Sequence, residues 1–171
     1  IMRRRQRQMC IRDRSYKRIT LSTSGISKMI RKLADDNVKV NLALSLHAAN
    51  EELRKKIMPI GKSNTLEEIR DSLKYYFSKT KKKVTYEYVL LRDVNDSIED
   101  AYQLYKYTKH LSSKVNIIEY NSVEGLEFKK SSFEKTEKFI GYLLKKGVNV
   151  SLRRSRGKDI NAACGQLANK N

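Results

Sequence analysis

Five short apolar runs alternate along the chain with stretches of helical spacing, and that alternation constrains the fold more than any other feature. The runs are RITLSTS (18–24), VKVNLALSLH (38–47), KVTYEYVLL (83–91), KVNIIEY (114–120) and VNVSLRR (148–154). Strands joined through helices run parallel, because the crossover helix returns the chain to the end of the sheet where it started. The chain is therefore predicted to be α/β, either a barrel or an open sheet. The second run is apolar enough to be buried on both faces.

The helical stretches carry their own start and stop signals. Ile26, Met29, Ile30 and Leu33 share one face of SGISKMIRKLADD, and a short helix from Asn50 ends at Pro59. Thr65 and Glu68 form a capping box ahead of a stripe of Leu66, Ile69, Leu73 and Phe77. Ser97 can cap a helix that runs to about His110. Ser131 with Glu134 predicts another capping box, and Gly147 is placed to end that last helix.

At 171 residues and 39% hydrophobic content, the chain can bury one real core. No run approaches the ~18 apolar residues of a membrane span. No signal peptide opens the chain, so the expected compartment is the cytoplasm, in keeping with only two cysteines. The net charge of +18 points to a polyanionic partner such as nucleic acid, or to a lysine-rich surface with no such partner. Residues 4–14, RRQRQMCIRDR, have neither helical nor strand periodicity. They resemble a translated transposon-type sequencing adapter, so residues 1–14 are set aside as non-native. That removes six arginines and one aspartate and leaves +13 on the rest; it also takes Cys10 out of any catalytic scheme.

Polar residues cluster where the predicted strands end: Ser22, Thr23 and Ser24, then Ser45 and His47, then Asn121, then Arg153, Arg154 and Arg156. Closure of a barrel would bring them to one mouth, where barrel enzymes place their chemistry; singly, each is as readily a cap or a turn. No glycine-rich phosphate loop exists, and no CxxC. His47 ends an apolar strand and is either a satisfied core histidine or a functional one. Cys164, in INAACGQL, has no partner thiol and could be a small buried hydrophobe. The arginines and Lys158 upstream of it would lower its thiol pKa, and they suit phosphate or RNA equally well.

Taken in order, STSG (22–25), SLHAAN (45–50), EYVLL (87–91), VND (94–96), NIIEYN (116–121) and RGKDINAACGQL (156–167) resemble the C-terminal part of the RlmN/Cfr family of radical S-adenosylmethionine RNA methyltransferases. The STSG and RRSRG segments look closer to the RlmN branch, which methylates adenine C2, than to the Cfr branch, which methylates C8. The resemblance implies that residues 15–171 are the C-terminal portion of a partial (β/α)6 barrel with an extra strand. It implies S-adenosylmethionine and a [4Fe-4S] cluster as cofactors, and 23S rRNA and tRNA as partners of a monomeric parent protein. Cys164 matches the methyl-carrying cysteine, and Ser22, Ser45, Leu46, His47 and Asn121 match positions that contact S-adenosylmethionine.

The departures are specific. The family's CxxxCxxC cluster ligands, its upstream Gly-Glu motif and its resolving cysteine are absent from this chain, so no metal ligand is assigned and the chain alone is expected to be inactive. Ser122 stands where the family has proline. The strand at 18–22 is expected to present an open edge. The competing expectation is a basic α/β RNA-binding module without catalysis, in which Cys164 packs and the arginines hold phosphate.

Overall fold

The computed structural model describes residues 19–121 and 127–153. The segment set aside at the N-terminus, Cys10, Ser122, and the stretch from Arg154 through Cys164 lie outside the described residues. All five predicted strands form: β1 (Thr20–Thr23), β2 (Asn41–Ser45), β3 (Val84–Leu90), β4 (Ser113–Glu119) and β5 (Val150–Arg153). Between them stand α1 (Ser27–Asp35), α2 (Glu51–Ile57), a 3-10 turn at Pro59–Lys62, α3 (Leu66–Thr80), α4 (Ile98–Thr108) and α5 (Phe133–Lys145). No helix among the described residues is long and apolar enough to cross a membrane.

Sheet order decides between the two predicted architectures. The strands lie in the sequence order β1-β2-β3-β4-β5, and each neighbouring pair is parallel. Crossovers of one hand that always step in the same direction place their helices on one face of the sheet. An open doubly wound sheet would need a reversal of strand order to cover its second face. This is the winding of a barrel segment, and its inner face carries no helix among the described residues.

That one-sided cover explains the burial pattern. In β3, Val84, Tyr86, Tyr88 and Leu90 are buried beneath the helices, while Thr85, Glu87 and Val89 on the other face are half-buried. The register extends the helix-side layer across the sheet as Leu44, Tyr86, Val115 and Val150. The opposite layer at the next level is Ser45, Glu87, Asn116 and Ser151. The expectation that β2 is buried on both faces holds only at Ala43; Asn41 and Ser45 are half-buried because the inner face is a site wall rather than a helix interface.

The core itself is aromatic as well as aliphatic. Tyr86 packs edge-on against Tyr107 at 5.8 Å, and Tyr88 lies tilted against Phe139 at 5.5 Å. Three helices differ in detail from the predicted pattern. The stripe of α3 continues through Tyr76, not Phe77, because the Tyr76 hydroxyl donates to the carbonyls of Val38 and Val40 (3.0 and 2.7 Å) at the entrance to β2. In α1, Ile30 and Ala34 are buried but Ile26 and Met29 are exposed, since this helix packs on α3 at the β1 flank, with no described element beyond it. Helix α5 is capped by Ser132, which accepts from Lys135 N; Ser131 is drawn instead into a 2.6 Å bond from its hydroxyl to Asp96 Oδ2.

Candidate functional site

A cavity of about 420 Å³ opens on the helix-free face toward the C-terminal ends of the strands. Ser22, Ser45, His47 and Asn121 all line it, contributed by or following β1, β2 and β4, and Arg153 of β5 reaches the same space. Ile57, Val89, Leu91, Ile118 and Phe128 supply apolar walls. Leu46 is not part of this lining. Its side chain is fully buried in the core, and its amide donates to Glu87 O at 3.0 Å. Cys164 lies outside the described residues.

The turn after β1 shows which strand-end polar groups serve the backbone. Thr23 Oγ1 accepts from Gly25 N at 3.1 Å, and Ser24 O accepts from Arg54 Nη2 at 2.7 Å. Gly25 has φ +98°, and a Cβ there would lie 2.9 Å from Ile69 Cδ1 and 3.0 Å from Arg54 Nη2, so glycine is required twice over. Arg54 is fully buried although the segment EELRKKI reads as a solvated helix, and its guanidinium fixes this turn beside the cavity. Asn64 Oδ1 completes the arrangement by accepting from Ser27 N at the start of α1 (2.9 Å).

Backbone pairing of β2 with β3 ends at Ser45 and Glu87, yet the pattern of hydrogen bonds continues through side chains. Val89 N donates to His47 Nδ1 (3.2 Å). Asn95 Nδ2 donates to the carbonyls of His47 (2.7 Å) and Val89 (2.8 Å), and Asn95 Oδ1 accepts from Leu91 N (2.7 Å). The VND motif is thus a clamp whose central asparagine, fully buried, joins the residue after β2 to the end of β3. His47 takes the left-handed backbone conformation, φ +55°, within this clamp.

Burial, and after it the nearby Arg54 charge, hold the His47 imidazole neutral by lowering its pKa to about 4. With Nδ1 accepting from an amide, the neutral ring carries its proton on Nε2. The ring is therefore satisfied on one side, by the Val89 amide, and also lines the cavity.

A pH dependence follows. The unfolded chain binds a proton on this histidine near pH 6.5 that the folded chain refuses until about pH 4. Stability from this group is complete above pH 6.5 and is lost as the pH falls toward 4, by about 3 kcal/mol. His47→Asn keeps an acceptor for Val89 N and tolerates positive φ. Urea denaturation across pH 4–7.5 is expected to show a shallower acid slope in H47N than in the wild type; identical slopes would rule out His47 as the source.

A strap closes the far side of the cavity. Arg92 N donates to Lys129 O (2.8 Å), Leu91 and Lys130 form an isolated antiparallel bridge, and Lys130 Nζ pairs with Glu119 at 3.2 Å. Phe128 then meets Tyr120 edge to face at 6.3 Å. Glu87, Asn95, Asn116 and Arg54 were not among the predicted site residues. The first three sit inside EYVLL, VND and NIIEYN, and strict alternation along β3 already places Glu87 opposite Tyr86 and Tyr88.

Singly wound sheet, inner-face cavity and sequence agree on a class: the Radical SAM superfamily matches residues 2–105, and the chain belongs to that superfamily. Among curated relatives, the probable dual-specificity RNA methyltransferase RlmN of Flavobacterium psychrophilum is 54% identical over 156 residues, which is 91% of this chain and 45% of the relative. The protein of the same name from Christiangramia forsetii is 51% identical over 156 residues, 91% of this chain and 44% of the relative. The chain aligns with part of these relatives and spans less than half of their length. A crystal structure of a radical SAM methyltransferase from Sphaerobacter thermophilus superposes with a TM-score of 0.84 at 39% identity, over 87% of this chain and 44% of that one. A domain of pyruvate-formate lyase-activating enzyme from Bacteroides vulgatus (TM-score 0.61, 13% identity, 78% of this chain and 80% of that one) shares the fold.

The superfamily uses S-adenosylmethionine and a [4Fe-4S] cluster. The cavity fits the first: apolar walls suit an adenine, hydroxyls and an imidazole N–H suit its polar groups, and one buried carboxylate oxygen, Glu87 Oε2, has no hydrogen-bond partner. The described residues do not fit the second, since no three His, Cys, Asp or Glu among them are grouped to hold a metal.

Proposed function

We propose that the protein to which this chain belongs methylates C2 of adenine in 23S rRNA and tRNA, with Cys164 as the methyl carrier. The observation that carries this reading is the convergence of Ser22, Ser45, His47 and Asn121, drawn from separate strand ends, on one cavity in a chain whose relatives are named as RNA methyltransferases. In this reading S-adenosylmethionine supplies the methyl group and, at the cluster, the radical that the superfamily is named for. Ser22, Ser45 and Asn121 hold its polar groups, and the neutral His47 offers Nε2–H without competing as a base. Val89, Ile118 and Phe128 keep water from it. The Cys164 thiolate takes the methyl from the sulfonium, leaving S-adenosylhomocysteine. Such a relay suits adenine C2, a carbon too poor a nucleophile for direct polar methylation. The +13 charge of residues 15–171 supports an RNA substrate.

The test is the product of the complete gene, reconstituted anaerobically and incubated with S-adenosylmethionine and 23S rRNA or tRNA. Mass spectrometry of the digested RNA is expected to show 2-methyladenosine, and Cys164→Ala to abolish it. Appearance of 8-methyladenosine instead, or full activity in C164A, would overturn the reading.

A further inference from the structure

Glu87 sits in a row that runs across four strands on the inner face: Ser45, Glu87, Asn116, Ser151. The row is hydrogen-bonded in one direction. Ser151 Oγ donates to Asn116 Oδ1 at 2.8 Å, and Asn116 Nδ2 donates to Glu87 Oε1 at 2.9 Å. One carboxylate oxygen is thereby fixed in place. The other, Oε2, is buried with no hydrogen-bond partner, and the residue lines the cavity. Nearby charges do not relieve it: Lys130 is paired with Glu119, and no salt bridge to Glu87 forms among the described residues. A buried acceptor without a donor is costly, and native proteins keep few of them. An acceptor held rigidly by its own strand row, on a residue that lines a ligand cavity, is the arrangement of a binding group that gains its last hydrogen bond from the ligand.

We propose that Glu87 is a further cofactor-binding residue, whose Oε2 accepts from the vicinal ribose hydroxyls of an adenosyl group. The inference rests on the reading above, that this cavity takes S-adenosylmethionine. The neighbour at the adjoining register position selects a diol over an ammonium: Ser45 brings a hydroxyl able to donate, and a diol can accept that bond while donating to Glu87. An ammonium would satisfy the carboxylate and leave nothing for the serine. Glu87 would then distinguish ribonucleosides from deoxynucleosides, as buried polar groups do when the analogue leaves them unpaired.

Calorimetric titration of the 171-residue chain with S-adenosylmethionine, 5′-methylthioadenosine and 2′-deoxy-5′-methylthioadenosine tests this. The second probe keeps the diol and lacks the amino acid. Glu87→Gln preserves shape and the bond from Asn116 but replaces the open acceptor by a donor. It is expected to weaken binding of the first two ligands about 10- to 100-fold, with a smaller effect on the deoxy analogue, which keeps only one of the two hydroxyls, and an unchanged thermal melt in the absence of ligand. A loss confined to S-adenosylmethionine would move Glu87 to the ammonium and overturn the diol assignment. Equal affinities in wild type and E87Q would overturn the proposal alone, whereas a wild type that binds none of the probes would overturn the cavity assignment with it. A measurement on the wild type needs no variant: the side-chain carboxyl ¹³C resonance of Glu87 is expected to move on addition of 5′-methylthioadenosine. A resonance unmoved at saturation would sink the proposal even if E87Q failed to fold.

Discussion

Anaerobic reconstitution of this chain with iron and sulfide is expected to leave it with far less than one iron per molecule, where a loaded relative of the superfamily would hold four. Cluster assembly needs three thiolates brought within bonding distance of one cube. The chain has two cysteines, Cys10 and Cys164, and 153 residues intervene between them. The described residues offer no substitute, because no three acidic or imidazole groups converge and His47 spends Nδ1 on the Val89 amide. Without a cluster, the chain has no electron source for reductive cleavage of S-adenosylmethionine, so dithionite-treated samples should form no 5′-deoxyadenosine. Binding of the intact cofactor by the cavity is a separate property that this result leaves unaffected. Iron and acid-labile sulfide near four each, with the absorbance of a cubane cluster, would contradict the ligand count.

Asn95→Ala is expected to be the most destabilising single substitution near the cavity. Its Nδ2 donates to two carbonyls and its Oδ1 accepts from an amide, at 2.7–2.8 Å, and the residue is fully buried. Alanine would leave His47 O, Val89 O and Leu91 N without this partner, the last of them in a buried position. Each such group costs about 1–3 kcal/mol, and relaxation makes the total less than additive, so a loss of about 3–5 kcal/mol is expected. For a domain of this size that is roughly a 10–15 °C fall in Tm. Asn95→Asp should be no rescue, since a carboxylate accepts from Leu91 N but repels the two carbonyls. Equilibrium urea melts of N95A and N95D measure both, and a change below about 1 kcal/mol in N95A would show that solvent enters the clamp.

Local signals carried much of this structure. The capping boxes at Thr65 and Ser97 start α3 and α4 where the sequence places them, and Gly147 ends α5 at φ +75°. Such features involve residues three or four apart, whose geometry the helix itself dictates. The capping box expected at Ser131 does not form, because the Ser131 hydroxyl bonds to Asp96, 35 residues away, and Ser132 caps α5. Strand-end polarity is legible as a tendency, and five of the residues it marks, Ser22, Ser45, His47, Asn121 and Arg153, line the cavity. The rest depended on register. Nothing in the order of residues aligns Glu87 with Asn116 and Ser151; a slip of one residue would put all three under the helices. Arg54 was hidden for a different reason. A charged residue within EELRKKI reads as solvated, and only the turn at Ser24 and the loop at Asn64 give its guanidinium carbonyls to bind.

Strand β1 is an edge of the sheet, exposed along Thr20–Ser22, and its Ser22 also forms part of the cavity wall. These two roles cannot be independent. Any strand that pairs with β1 adds to the wall beside Ser22, so whatever occupies the cavity meets a different surface before and after the edge is covered. If the added strand tightens the hold on the ligand by some factor, the ligand must tighten the hold on the added strand by the same factor. Among the described residues this edge is open, and under such a coupling filling the cavity and covering the edge would favour each other to the same extent.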